Sequence, residues 1–274
     1  KYYIGFLMVL MQRLVSSSTA AIRDSIERRI SILENQQAEV AAISSEDISE
    51  TDVQVLLDAL LSVAALDLKW ELNELNNILS VAKQAQFQYT DAKAEHLVDL
   101  LDKLKGEEDR RQAIIFTEFV ATQQFLKDFL QRRGYSCSLL NGSMDIDERN
   151  AAISEFRTKT DLLISTDAGG EGINLQFASV VINYDLPWNP MKIEQRIGRV
   201  DRIGQGRDVL VYNFVLEDTV EKRVREVLEQ KLVVILEQMG IDKMQDVLDS
   251  ELAEADFTDV YIKSVANPDH SGYY

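Results

Sequence analysis

The sequence predicts an α/β fold: a parallel sheet with helices on both faces, flanked by N-terminal and C-terminal helical elements. Three observations predict it. Five short apolar or β-branched runs, QAIIFT, YSCSLL, DLLIST, SVVINYD and DVLVYNFV, alternate with helical stretches between residues 110 and 217. Such alternation is what parallel strands joined by right-handed crossovers look like in sequence. The runs lack polar alternation, as strands buried on both faces do. Outside this region apolar residues recur at intervals of three and four, the helical period.

Taken in order, residues 1–109 read as a helical segment. A helix is expected over AIRDSIERRISILENQQAEVAAI. A longer one carries a single apolar stripe of Leu57, Leu61, Ala64, Leu68, Leu72, Leu75 and Leu79, and a further one covers DAKAEHLVDLLDKL. No proline occurs before Pro187, and Gly106 with the charged run GEEDRR marks a boundary. The α/β domain then spans 110–217. Its crossovers include FVATQQFLKDFLQRRG, ending at Gly134, and DERNAAISEFRTK. Pro190 is placed to open a helix, where its missing N–H costs nothing. Residues 218–274 return to helix over EDTVEKRVREVLEQKLVVILEQMG, ending at Gly240, and finish in a loose tail.

Composition narrows the function. One cysteine, Cys137, excludes a disulfide framework and fits a reducing, intracellular setting. The two histidines, His96 and His270, are too far apart in sequence to suggest a zinc site, and no metal-ligating pattern is found. The apolar run IGFLMVLM is far short of a membrane span and no signal peptide follows from the N-terminal residues. The chain begins at Lys1 within a helical pattern and reads as a piece of a larger protein. Its formal charge is −17, yet residues 110–210 hold 13 Lys+Arg and 13 Asp+Glu. The excess acid therefore lies in the flanks. An overall field of this sign does not attract nucleic acid, so any phosphate binding must use placed groups.

In a parallel sheet the functional loops follow the carboxyl ends of the strands. After the third strand, STDAGGEGINL puts Gly169, Gly170 and Gly172 in four positions, which is either a tight turn or a close backbone approach to an anion. It is not a P-loop, since no glycine is followed by lysine. After the second strand, NGSMDIDER sets Gly142 and Ser143 before a helix. It reads as an ordinary cap with an Asp145/Glu148 capping box, or as a weak phosphate site. After the fourth, DLPWNP surrounds Trp188, whose ring more often packs than serves as a ligand platform. The helix that follows carries QRIGRVDRIGQ, in which Arg196, Arg199 and Arg202 recur every third residue. On one continuous helix they fan over about 120°. Gly198 and Gly204 interrupt the stripe, which a merely solvated helix face does not favour. Forked guanidinium donors suit phosphate oxygens.

Together these loops resemble the second RecA-like lobe of superfamily-two helicases, and specifically of Swi/Snf-type ATP-dependent DNA translocases. AIIFTEF is similar to motif IV, STDAGGEGINLQ to motif V, and NYDLPWNP followed by QRIGRVDRIGQ to the block leading into motif VI. GRVDR in place of the D-R-A-H-R of many eukaryotic remodellers points to a bacterial or archaeal type. LMQRLVSSSTAAIRDSIERR resembles the segment preceding this lobe in such members, including the polymerase-associated kind.

The resemblance implies a C-terminal helicase lobe at 110–217. Arg199 and Arg202 are then catalytic fingers on ATP held by an N-terminal RecA-like lobe of the same protein, which supplies the P-loop lysine and the Mg2+-binding acid. Gly170, Glu171, Gly172 and Gln195 lie near the nucleotide. Gly142, Ser143, Ser165 and Thr166 lie near the backbone of double-stranded DNA. Arg149 is a DNA contact or an internal support, and Trp188 is grouped with the nucleic-acid residues. Arg196 receives no fixed role. The resemblance further implies a DNA-bound protein such as a polymerase as a partner, and a cytoplasmic, nucleoid-associated prokaryotic setting. This chain without its partner lobe is expected to be inactive. Two rivals are an RNA helicase lobe and a non-catalytic module whose acidic helices bind protein.

Overall fold

The computed structural model describes residues 2–34, 68–88, 91–105, 112–170, 172–187, 190–201 and 208–216. Four helices come first: α1 (Tyr2–Ser17), α2 (Thr19–Glu34), α3 (Leu68–Gln88) and α4 (Ala92–Lys105). Then β1 (Ala113–Phe116), α5 (Val120–Arg132), β2 (Cys137–Leu140), α6 (Ile146–Thr158), β3 (Leu162–Ser165), a single turn α7 (Asp167–Gly170), β4 (Val180–Asn183), α8 (Pro190–Ile197) and β5 (Leu210–Asn213) follow. All five expected strands form, every described pairing is parallel, and the order across the sheet is β2-β3-β1-β4-β5. The first part of the striped helix and the C-terminal helix and tail lie outside the described residues.

Strand side chains alternate between two cores, as the two-residue period requires. Ala113, Ile115, Leu162, Ile164, Val180 and Ile182 face one side, against Leu97, Leu101 and Leu104 of α4 and Leu126 and Leu130 of α5. Ile114, Phe116, Leu163 and Val181 face the other, against Ala152 and Phe156 of α6, with Leu175 and Val200. Burying a side chain such as Phe156 stabilises the fold by about 1.5–3 kcal/mol. Helix α4 lies before the boundary read at Gly106, yet its apolar face is part of the domain core.

The capping box forms as read: Glu148 N–H donates to Asp145 Oδ1 at 2.9 Å and Asp145 N–H to Glu148 Oε2 at 3.0 Å. Gly134, which ends the turn after α5, has φ of 84°, a conformation that costs other residues about 1–2 kcal/mol. The stripe of α3 is half-buried at Leu72, Leu75 and Leu79, and α3 packs on α2 with an Arg29–Glu71 ion pair at 2.7 Å.

The helices ahead of the domain are wired into it by buried charge. Arg13 of α1 pairs with Glu118 and donates to the carbonyl of Leu186. Lys93 of α4 sits 3.2 Å from Asp185 Oδ1. Asp185 also accepts from Ser17 Oγ at 2.8 Å, Thr117 Oγ1 at 2.5 Å and the Glu118 N–H at 3.1 Å. Burial favours the neutral acid, but Lys93 and these donors outweigh it and hold Asp185 below the ordinary carboxylate range. Glu118 has fewer donors and two acidic neighbours, Asp167 and Asp185. Burial pushes its carboxyl up to about 7 despite Arg13.

Candidate functional site

Register puts the strand ends level. Phe116 pairs with Ser165 and Asn183, and Leu140 pairs with Ser165. The loops after β1, β2, β3 and β4 thus open on one edge, and a small cleft, open to solvent, lies there. Its walls are Phe116, Asp167 and Gly170 from the strand-end loops, with Lys192, Gln195, Arg196 and Arg199 from α8 and the turn after it.

Arg196 and Arg199 part company at this point. The expected continuous helix stops at Ile197, and residues 198–200 form a turn. Gly198 favours the stop because glycine is among the poorest helix formers. The turn is held by Val200 N–H to Ile197 O at 2.9 Å and Asp201 N–H to Ile197 O at 2.8 Å. Fully buried Val200 pins it to the core, and the Arg199 carbonyl accepts from Leu175 N–H at 2.9 Å. Arg199 therefore does not share a helical face with Arg196. Its backbone is fixed on both sides, while its half-buried side chain lines the cleft. Among the described residues its guanidinium has no hydrogen bond or ion pair. Gln195 is exposed on the same wall, and Arg202 lies outside the described residues.

Arg196 turns inward and is 3% exposed. Its Nε and Nη2 donate to Asp167 Oδ1 and Oδ2 at 2.6 and 2.9 Å, a bidentate fork. Its Nη1 donates to Asn183 Oδ1 and the Asp185 carbonyl, both at 2.9 Å, and the guanidinium stacks 5.1 Å from the Phe116 ring centre. One side chain thus ties together the ends of β1, β3 and β4. The regular arginine spacing suggested an external anion, but for Arg196 the anion is internal. Burial opposes ionisation of Asp167, yet the charge and hydrogen bonds of Arg196, with help from Lys192 and Arg13, keep its carboxyl below the ordinary range.

The glycine loop resolves into distinct jobs. A Cβ on Gly169 would lie 2.4 Å from Leu140 O and 2.6 Å from Asn141 N, so only glycine lets α7 pack against the end of β2. Gly170 lines the cleft, where a Cβ would meet the Phe116 ring at 3.3 Å. Gly172 has φ of 73° and is exposed, while Glu171 lies outside the described residues.

Two of the expected DNA-facing hydroxyls are not at the surface. Ser165 is fully buried and its Oγ donates to Thr166 O at 2.8 Å. Thr166 is 3% exposed and its Oγ1 accepts from Gly169 N–H at 3.3 Å. Both hydroxyls are used in shaping the loop, and neither is presented to solvent as the expectation of a place near the DNA backbone would favour. Gly142 and Ser143 are exposed, and Ser143 Oγ and N–H both donate to Asn141 Oδ1, at 2.7 and 3.2 Å. Arg149 supports this loop from within, donating to Met144 O and Gly142 O at 3.1 Å each. Trp188 lies outside the described residues.

Sequence reasoning missed Lys192, the Asp167–Arg196 clamp and Gln123. The buried Gln123 amide donates to Leu140 O and Ile164 O at 2.9 and 2.7 Å and accepts from Asn141 Nδ2 at 3.1 Å. Asp167 and Arg196 are 29 residues apart, and no periodicity links them. A polar residue within an otherwise helix-periodic apolar pattern was the one signal available for Gln123.

Residues 92–204 match the model of the helicase conserved C-terminal domain. The chain is 44% identical over 157 residues to the uncharacterized ATP-dependent helicase YqhH of Bacillus subtilis, covering 57% of this chain and 27% of that protein. It is 34% identical over 185 residues to the chromatin-remodeling ATPase INO80 of Kluyveromyces lactis, covering 65% and 12%. It is 36% identical over 198 residues to helicase SWR1 of Saccharomyces cerevisiae, covering 67% and 13%. The chain thus spans little more than a quarter of the first relative and about an eighth of the other two. Among solved structures, the C-terminal part of the Fun30 ATPase domain aligns over 84% of this chain and 82% of its own, at 19% identity and a TM-score of 0.47. The α/β part of the chain, a parallel sheet with helices on both faces, is thus similar to the helicase conserved C-terminal domain over residues 92–204. Its relatives are of the Swi/Snf type.

Proposed function

We propose that this chain is the C-terminal motor lobe of a Swi/Snf-type ATP-dependent translocase of double-stranded DNA, and that Arg199 acts on ATP held by the N-terminal lobe of the same protein. The observation that carries the reading is Arg199. It is an arginine on a rigid turn, lining an open cleft, with no partner among the described residues. A guanidinium in that position is prepaid for a phosphate: its backbone needs no reordering and its donors need no release from another acceptor. Arg202 would act with it. Gly170 and Gln195 would face the nucleotide, and Gly142 and Ser143 the DNA backbone, without reading bases.

The residues present fit an anion rather than a metal. Among the described residues Asp167 is the one carboxylate in the cleft wall, and both its oxygens are taken by Arg196. Mg2+ would then be held by the N-terminal lobe. When bound, ATP supplies the γ-phosphoryl group. The part of this chain is to offset charge that grows on its oxygens. Groups in this role are worth roughly 10³–10⁵ in rate in related nucleotide hydrolases.

The test is steady-state ATP hydrolysis by the full-length protein at saturating duplex DNA. Arg199→Ala is expected to cut kcat by roughly 10³-fold or more while the thermal midpoint stays in place. Unchanged turnover would sink the proposal. This chain without its partner lobe is expected to show no DNA-stimulated hydrolysis.

A further inference from the structure

We infer that Lys192 is a second, non-catalytic phosphate ligand in the same cleft. The inference rests on the ATP reading of Arg199 and deepens it. Among the described residues three cations line the cleft, Lys192, Arg196 and Arg199, against one carboxylate, Asp167. Arg196 uses both oxygens of that carboxylate, so Lys192 and Arg199 remain as a surplus of two positive charges in a chain of formal charge −17.

Position makes the surplus costly for the domain alone. Lys192 is the third residue of α8, in its first turn, and no acidic residue accompanies it there. The N-terminal end of a helix carries partial positive charge, so a lysine in the first turn is placed against the dipole. Of the other described lysines in a first helical turn, Lys93 of α4 is paired with buried Asp185 and Lys69 of α3 is exposed with Glu71 in the same turn, whereas Lys103 and Lys105 occupy the last turn of α4, where the dipole favours them. Lys192 is half-buried and, among the described residues, makes no hydrogen bond or ion pair. Its charge helps keep Asp167 ionised, but Arg196 already takes both oxygens of that carboxylate, so local stability gives little reason for a further cation at this position. An anion entering the cleft gives one, because both the Lys192 ammonium and the Arg199 guanidinium line it.

Geometry also separates the roles. Lys192, Gln195 and Arg196 stand at i, i+3 and i+4 on one side of α8, while Arg199 sits on the turn beyond. A compact ammonium on a flexible stem follows a phosphate chain as a point charge and does not enforce one geometry. Lys192 therefore binds ATP equally in the ground and transition states, which lowers KM and leaves kcat alone.

The experiment uses the full-length protein at saturating duplex DNA, with ATP as the varied substrate. Lys192→Ala is expected to raise KM for ATP roughly 3–10-fold with kcat within about twofold. It should also weaken the dependence of KM on salt. Lys192→Arg should keep KM near the parent value. If Lys192→Ala leaves KM unchanged while Arg199→Ala abolishes turnover, the lysine assignment is wrong and the ATP reading stands. If Lys192→Ala lowers kcat at constant KM, Lys192 contacts the other lobe and not the nucleotide, and the inference is again overturned. If neither variant has an effect, the ATP reading itself fails.

Discussion

Arg196 and Arg199 are the same residue type three positions apart, yet the fold uses them in opposite ways. Arg196 is buried with a bidentate carboxylate, a side-chain amide and a backbone carbonyl. Arg199 lines an open cleft with its backbone held and, among the described residues, no hydrogen bond or ion pair to its guanidinium. The difference comes from Gly198. The helix ends before Arg199, so the second side chain leaves the helical path that brings the first one inward. The same division runs through the domain. Asp185, Lys93, Arg13, Glu118 and Gln123 are consumed in holding loops and helices together, whereas Lys192, Gln195 and Arg199 remain available at the strand ends. A charged residue in this lobe whose partners are internal supports the fold.

Arg199→Ala should lower kcat roughly 10³-fold or more and leave stability within about 0.5 kcal/mol. Removing Arg196 should do the converse. Arg196→Met strands the ionised Asp167, whose side chain is 14% exposed, and should cost about 3–5 kcal/mol of stability in urea unfolding of the full-length protein. Combining it with Asp167→Asn should recover a large part of that loss, since the uncompensated charge is gone. A loss below about 1 kcal/mol in the single variant would show that the clamp carries little of the fold. Next in size, Gly169→Ala drives a methyl group into the backbone at Leu140 and Asn141. It should cost about 1–3 kcal/mol, read from the same unfolding curves.

The smallest effect is a pH dependence, and its sign differs within the buried network. Glu118 has a folded value of about 7 against an ordinary 4.5. It binds its proton more tightly in the folded state, so its stabilisation is complete below about 4.5 and is lost as pH rises through about 7. Asp167 and Asp185 are held below their ordinary 3.8, so their contribution is present above that value and is lost as pH falls beneath it. The urea midpoint of the parent protein should therefore fall relative to Glu118→Gln between pH of about 4.5 and about 7. Parallel curves across that window would show that Glu118 does not hold its proton in the folded state.

Much of the architecture was readable in the residues because it rests on local rules. Five apolar runs without polar alternation specify buried parallel strands, and Pro190, Gly134 and the Asp145/Glu148 pair punctuate helices through backbone geometry alone. The motif spacing that marks the lobe is local too, and so is the placement of the glycine loop after β3. Which arginine meets an internal acid, which hydroxyls are buried, and where Lys192 stands were decided by contacts between residues far apart in the chain. Arg196 finds Asp167 across 29 residues, and Lys93 finds Asp185 across 92. A side chain's role as support or as site depends on whether burial supplies it a partner, and burial is a property of packed elements that no single segment contains.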